Sequence, residues 1–436
     1  LAHAKPHEPA PLDGDLAARF RAARALTEAL VAPLSEADTT IQSMDDASPA
    51  KWHLAHVTWF WETFLLRDHA AGYHLFDERW PYLFNSYYEA EGERHARARR
   101  GMITRPSLAE VLTYRAHVTE VMEPLLGREE LRGLIALGIA HEQQHQELLL
   151  TDIKHALAQN PLGPGYWGPD HPSPSGQEKG VGPVTAGSGR SAFPTPTPPL
   201  KGRGFEWHSH PGGVAMIGHD GAGFAFDNEG PRHRVLLEPF ALASTLVTNA
   251  EWQAFVDDGG YRTASLWLAD GWAWVQANKI AAPDYWRDDE HFTLQGWQPR
   301  DPEAPVTHIS FYEADAFASW AGARLPTEFE WEAVAHSHDA AGGNQLDAAG
   351  PVAPLGTASL FGDCWQFTRS AYLPYPRYQP PAGAVGEYNG KFMSGQVVLK
   401  GASCATARGH SRASYRNFFY PHQRWQFTGL RLAKDA

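Results

Sequence analysis

One stretch of this 436-residue chain limits how the rest can fold. From Asn160 to Gly204 it is rich in proline, glycine, serine and threonine and almost free of aliphatic periodicity. Such a segment buries too little apolar surface to offset the entropy of ordering it, and Pro169 to Gly202 is expected to be a disordered insertion or exposed linker. On either side the texture differs, so a domain boundary is expected near it. The division reads as 12–160, a linking insertion at 161–204, and 205–436. The length agrees, being sufficient for more than one sizeable core.

Before the insertion the pattern is helical. Leu16, Phe20, Ala23, Leu26, Leu30 and Val31 share one side of a helix over Asp15 to Leu34. Ser48-Pro49 offers an N-cap and a first-turn proline for a helix reaching Leu66. Ser107, with Glu110 three residues later, opens another to Leu126. A fourth spans Arg128 to Ala158. Four long helices describe a bundle able to hold a metal among facing members. After Phe205, short apolar runs such as Gly213-Val-Ala-Met-Ile-Gly218 and Val397-Val-Leu-Lys400 alternate with turns and helices. That texture predicts an α+β domain with much irregular loop rather than a βαβ repeat.

The chemistry concentrates in the fourth helix, in Gly138-Ile-Ala-His-Glu-Gln-Gln-His145. Residues i and i+4 lie one above the other on a helix, so His141 and His145 can face one metal ion, with Gln144 on roughly the same side. His53 and His56, on the second helix, each offer a third ligand. The motif also matches the His-Glu-x-x-His of zinc proteases, in which the glutamate is the general base. By itself it leaves zinc hydrolysis and iron–oxygen chemistry both open. Two further segments suit a pocket: the aromatic and polar run Tyr82 to Gly92, and the basic run His95 to Gly101, whose arginines can hold a carboxylate bidentately.

Composition narrows the partners. A net charge of −13 argues against nucleic acid. No apolar run approaches the ~20 residues that span a bilayer, and Leu1 to Pro11 lacks the apolar core of a signal peptide. Two cysteines, Cys364 and Cys404, cannot make a disulfide framework, so a reduced, cytoplasmic protein is expected. The 16 tryptophans supply core or the aromatic walls of a pocket for a planar or cationic ligand.

The second half resembles the formylglycine-generating-enzyme superfamily, whose fold is C-type-lectin-like. The matching residues include Asp227-Asn-Glu-Gly-Pro-Arg-His233, Val247-Thr-Asn-Ala-Glu-Trp-Gln-Ala-Phe255, Arg324-Leu-Pro-Thr-Glu-Phe-Glu-Trp-Glu332 and Gly362-Asp-Cys-Trp-Gln-Phe-Thr368. Those enzymes use a late cysteine pair. Here Cys404 stands alone in that region, which argues against cysteine-to-formylglycine chemistry. The first half resembles the DinB-like four-helix domain. In this order the two resemble the hercynine-linked nonheme-iron sulfoxide synthases of ergothioneine biosynthesis.

That resemblance implies iron(II) held by three histidines. Leu54-Ala-His56 and His141-Glu-Gln-Gln-His145 match its ligand segments, giving His56, His141 and His145, with His53 a neighbour. Leu83-Phe-Asn-Ser-Tyr-Tyr-Glu89 is similar to the subgroup with tandem active-site tyrosines, placing Tyr87 and Tyr88 in the catalytic role. Arg97 and Arg100 fall where the sulfur donor's carboxylates bind. Asn417, Phe418 and Phe419, in a late segment that reaches back to the iron, line the substrate pocket with Gln144. Expected substrates are O2, hercynine, and a donor that is cysteine, γ-glutamylcysteine or, as in the related selenoneine synthases, a selenosugar. Two alternatives stand beside this reading: a zinc metalloprotease-like hydrolase and a non-catalytic lectin-like binding module. The choice of donor and the oligomeric state stay open at this level.

Overall fold

The computed structural model describes residues 15–167 and 206–436. Most of the insertion, including the disorder expected for 169–202, lies outside the described residues. Two of its residues are packed: Tyr166 and Trp167 are buried, and both backbone amides donate to the Leu294 carbonyl.

Helices make up the first half: α1 (Leu16–Val31), α2 (Glu36–Thr40), α3 (Ala50–Trp61), α4 (Trp80–Phe84), α5 (Leu108–Met122) and α6 (Arg132–Ala158). A π-helical turn, Glu62–Arg67, continues α3. The long helices α1, α3, α5 and α6 enclose a core built from residues such as Phe20, Leu54, Trp61, Val118, Ile139 and Leu149. The capping box at Ser107 and Glu110 forms as the sequence predicts. Ser48 behaves differently. It does not cap α3; Pro49 stands at that position with no side-chain cap. Instead the Ser48 hydroxyl accepts from Arg100 and its amide donates to Asp152, because a buried cation and a buried carboxylate need those groups more than a helix end beginning with proline does.

In the second half, β1 (Trp207–His210), β2 (Gly213–Ile217), β3 (His233–Leu237) and β4 (Phe240–Ala243) precede α7 (Asn249–Asp257) and α8 (Ala269–Asn278). Then come β5 (Trp286–Arg287), β6 (Glu290–Thr293), β7 (Gly296–Pro299), α9 (Phe311–Trp320), α10 (Glu328–Ala335), β8 (Trp365–Ala371), β9 (Val397–Gly401), β10 (Asn417–Phe419), β11 (Thr428–Gly429) and β12 (Ala433–Asp435). The strands form four small sheets, ordered β1-β4-β12, β10-β9-β8-β11, β2-β3 and β5-β6-β7. The second of these matters most, because β10 carries Asn417 to Phe419 on its edge, paired antiparallel with β9.

Helix α6 joins the halves. At 27 residues it is about 40 Å long. Ile135, Ile139, Leu149, Leu150 and Ile153 bury into the helical core. Gln143, Gln144, Glu147 and Lys154, on another side of the helix, bond to the second half. Their partners are His410, Tyr415, the Trp365–Ser403–Thr406 group and His308. Gly138 is needed for local fit, since a Cβ there would stand 2.5 Å from the Trp61 ring. The side-chain-free turn lets α3 and α6 approach closely beside the histidines.

Candidate metal centre

Three imidazoles converge between α3 and α6. His56, His141 and His145 are buried, and one ring nitrogen from each lies within 4.8 Å of the others. Hydrogen bonds decide which nitrogens face inward. His56 Nδ1 lies 2.6 Å from the Phe84 carbonyl, which can only accept, so Nδ1 carries the proton and Nε2 holds the lone pair. His145 Nδ1 lies 2.8 Å from His53 Nδ1, which leaves its Nε2 inward as well. Both ring nitrogens of His141 and Nε2 of His56 lack a hydrogen-bond partner among the described residues. Buried polar atoms without partners are costly, and three nitrogen lone pairs around one point fit a divalent transition metal. Burial holds the His141 pKa down to about 3, and burial together with the neighbouring imidazoles holds His56 and His145 well below the usual range. All three are neutral, the form that ligates.

His53 is the rejected candidate on α3. Its two nitrogens are both engaged, Nδ1 with His145 and Nε2 with Asp152 Oδ2 at 3.1 Å, so no lone pair is left for a metal.

Glu142 points away from this centre, into the core between α1, α5 and α6. It is fully buried and accepts from Arg24 Nη1 at 3.2 Å, Thr27 Oγ1 at 2.8 Å, Trp61 Nε1 at 2.9 Å and the Arg115 guanidinium. Burial pushes its carboxyl up, but Arg115 and Arg24 override that and hold it at about 2. A carboxylate so enclosed cannot take a proton from metal-bound water. The zinc-protease alternative is therefore overturned: the His-Glu-x-x-His pattern is present, but its glutamate serves the core.

The open side of the histidines faces a cavity of about 870 Å³ lined by residues of both halves. Tyr87, Arg97, Arg100, Gln144, Asn417, Phe418 and Phe419 all line it with His141 and His145, so the structure brings these predicted residues together. Tyr88 is not on the wall. It is fully buried behind Tyr87, whose ring it stacks on at 4.8 Å, and packs against Trp59 and Phe64. Burial raises both phenols above their ordinary range.

Arg100 is the most unusual wall residue. Its guanidinium is buried, lies 3.4 Å over the Trp52 ring, and donates only to the Ser48 hydroxyl at 2.9 Å and the Ser86 hydroxyl at 3.1 Å. No carboxylate pairs with it among the described residues. Burial, with Arg97 and Arg94 nearby, pulls its pKa well below the usual value. Arg97 is exposed and donates to the Asp46 carbonyl.

Tyr388 is a wall residue that no sequence pattern flags, and it helps to hold an expected one. Gln144 is clamped by two hydroxyls: its Nε2 donates to Tyr415 at 2.8 Å, and its Oε1 accepts from Tyr388. Tyr388 also meets the His141 ring edge-on at 5.7 Å. It lies in an irregular glycine-containing segment with no periodicity to flag it. Trp425, also on the wall, donates from Nε1 to Asp152 Oδ1 at 3.0 Å. Phe418 stacks on Tyr372 at 4.1 Å and lines the cavity. Cys364 and Cys404 are both free and buried, and burial raises both thiols, so neither is a thiolate at neutral pH.

Residues 19–149 match the DinB superfamily, and residues 206–350 match the sulfatase-modifying factor enzyme 1-like domain. A protein of Mycolicibacterium smegmatis named hercynine oxygenase is 32% identical over 429 residues, covering 89% of this chain and 91% of that protein. A protein of the same name from Mycobacterium tuberculosis is 31% identical over 454 residues, 96% of this chain and 98% of that protein. The formylglycine-generating enzyme of Streptomyces coelicolor is 36% identical over 148 residues, which span 29% of this chain and 45% of that enzyme. No described helix is long and apolar enough to cross a membrane.

Proposed function

The chain belongs to the hercynine oxygenases, the family of hercynine-linked sulfoxide synthases built from a DinB-like and a formylglycine-generating-enzyme-like domain, and on that premise we propose that it is an O2-dependent iron(II) enzyme joining sulfur to the imidazole of hercynine. In domain terms we read 12–160 as a DinB-like four-helix bundle and 205–436 as a C-type-lectin-like domain, linked by 161–204.

The observation that carries this reading is one chamber holding two unsatisfied groups. One is the lone-pair face of His56, His141 and His145. The other is the buried, anion-free guanidinium of Arg100. Iron(II), held by His56, His141 and His145, would supply O2 activation. The remaining work belongs to the chain. Arg100, with Arg97 at the entrance, holds a donor carboxylate, which selects a carboxylate-bearing thiol such as cysteine or γ-glutamylcysteine over a neutral selenosugar. Phe418 and Phe419 give aromatic faces to the trimethylammonium group of hercynine, at about 0.5–2 kcal/mol each. Gln144 and Asn417 supply amides to its carboxylate. Tyr87, protonated at neutral pH and on the wall, holds the proton delivered as negative charge develops on reduced oxygen. Tyr88, behind it, positions that ring.

The test is aerobic turnover of iron(II)-loaded protein with hercynine, offering cysteine, γ-glutamylcysteine and a selenosugar separately and reading products by mass spectrometry. A sulfur adduct with a carboxylate-bearing thiol is expected. An adduct with the selenosugar alone would overturn the role given to Arg100. No adduct from iron-replete protein with any donor would overturn the hercynine reading.

A further inference from the structure

The three inward histidines have unlike supports. His56 donates from Nδ1 to a neutral backbone carbonyl. His141 has no partner at either nitrogen among the described residues. His145 alone is backed by a charged group, reached through a second histidine. Residues 145 and 152 are two turns apart on α6, about 10 Å along the axis and on the same face. The ring of His53, from α3, fills that gap. Its Nδ1 is 2.8 Å from His145 Nδ1 and its Nε2 is 3.1 Å from Asp152 Oδ2.

The direction of this chain is fixed once His145 ligates through Nε2. Its Nδ1 must then carry a proton and donate to His53 Nδ1. His53 must accept there, so its own proton sits on Nε2 and is donated to Asp152. The carboxylate is firmly held. Besides His53, its Oδ2 accepts the Ser48 amide at 2.8 Å and its Oδ1 accepts Trp425 Nε1 at 3.0 Å. Asp152 is 4% exposed, and no lysine or arginine pairs with it among the described residues. Its negative charge is therefore spent on His53 and, through it, on His145.

We propose that Asp152 and His53 are positioning residues that act as a relay, fixing the tautomer of His145 and making it the strongest electron donor of the three ligands. The inference rests on the metal reading above. It adds that the centre is electronically lopsided, with one ligand carrying anionic character and two remaining neutral. Trp425 ties the relay to the second half, and Ser48, which bonds both Asp152 and Arg100, ties it to the donor-binding arginine.

The experiment compares wild type with Asp152→Asn, His53→Gln and His53→Leu, using cobalt(II) and iron(II) as probes. Metal affinity is measured by chelator competition, and the Fe(III)/Fe(II) potential by spectroelectrochemistry without substrates. Asp152→Asn and His53→Leu are expected to lower metal affinity about 10- to 100-fold. His53→Gln, which can still accept from His145 and donate to Asp152, is expected to recover part of it. Because an electron-rich ligand favours the higher oxidation state, Fe(III) should be lost more than Fe(II). Each tenfold excess raises the potential by about 59 mV. A residue that only packs the site would lower affinity without moving the potential. Wild-type affinity and potential in both Asp152→Asn and His53→Leu would overturn the relay. Should Asp152→Asn fail to fold, the two His53 variants decide alone, with leucine and glutamine behaving alike counting against it. Failure of wild type to bind either metal would break the metal reading itself, a separate outcome.

Discussion

Two buried polar clusters flank the same turn of α6, and they are finished in opposite ways. On one side Glu142 is saturated: two arginines, a tryptophan and a threonine satisfy its carboxylate. On the other, three imidazoles meet with lone pairs unanswered, and Arg100 lies buried without an anion. Residues 141 and 142 are chain neighbours, yet one belongs to stability and the other to ligand binding. Helix geometry causes the split, since successive side chains point about 100° apart. Here the side of the helix that faces the cavity is the one on which ligating nitrogens and a buried cation are left without partners.

The largest effect should come from damaging the completed cluster. Glu142→Ala leaves Arg24 buried without a carboxylate and Arg115 with Glu28 alone, and removing one partner of a buried pair costs about 3–5 kcal/mol. Chemical denaturation should show that loss. Loss of metal affinity with stability unchanged would show that the two clusters are not separate. His56→Ala should act in the reverse sense. Metal content should fall most of the way to zero while the metal-free protein melts within a few degrees of wild type. Full metal retention would move the third ligand to His53.

Arg100→Met probes incompleteness directly. A cation with no anion contributes little to the ligand-free fold, so the melting temperature should hold or rise, as when buried charge is replaced by apolar volume. The KM for a carboxylate-bearing thiol should rise tenfold or more, about 1.4 kcal/mol of lost binding. A fall in stability with KM unchanged would make Arg100 a structural residue after all. Smaller still is the contrast between the tandem tyrosines. Tyr87→Phe should shift the ratio of products with metal content unchanged, whereas Tyr88→Phe, behind the wall, should shift it less. Equal product ratios in both would remove Tyr87 from proton delivery.

What could be read from the sequence follows the range of the forces involved. The His141–His145 spacing, the Ser107 capping box and the helical stripe of α1 are local, and periodicity exposes them. Asn417 to Phe419 came from resemblance rather than pattern, since a three-residue edge strand carries no periodic signal. Tyr388, Glu147 and Asp152 were missed because their partners lie far along the chain, at Gln144, Ser403 and Trp425. The role of Glu142 was misleading for the same reason. Its motif is local, but Arg24 and Arg115, which decide its role, are 118 and 27 residues away. Ser48 looked like a cap and instead serves two buried charges. Nothing within four residues of it shows either one.

The finest test of the comparison is pH. Glu142 has its carboxyl held at about 2 in the fold against an ordinary 4.5. Between those values the unfolded chain binds a proton that the folded chain refuses, so unfolding takes up a proton and stability falls as pH falls. The contribution is complete above pH 4.5 and is lost progressively toward pH 2. Other carboxylates held below their ordinary range, Glu229 among them, add their own slopes, so the contribution must be isolated by difference. Glu142→Gln, which cannot titrate, should be less stable than wild type at pH 7, and the gap should narrow as pH drops below 4.5. A gap independent of pH across that window would mean the fold does not hold the Glu142 carboxyl below its unfolded value. The two arginines would then give the carboxylate no net stabilisation, and the contrast with the open side of α6 would lose its electrostatic basis.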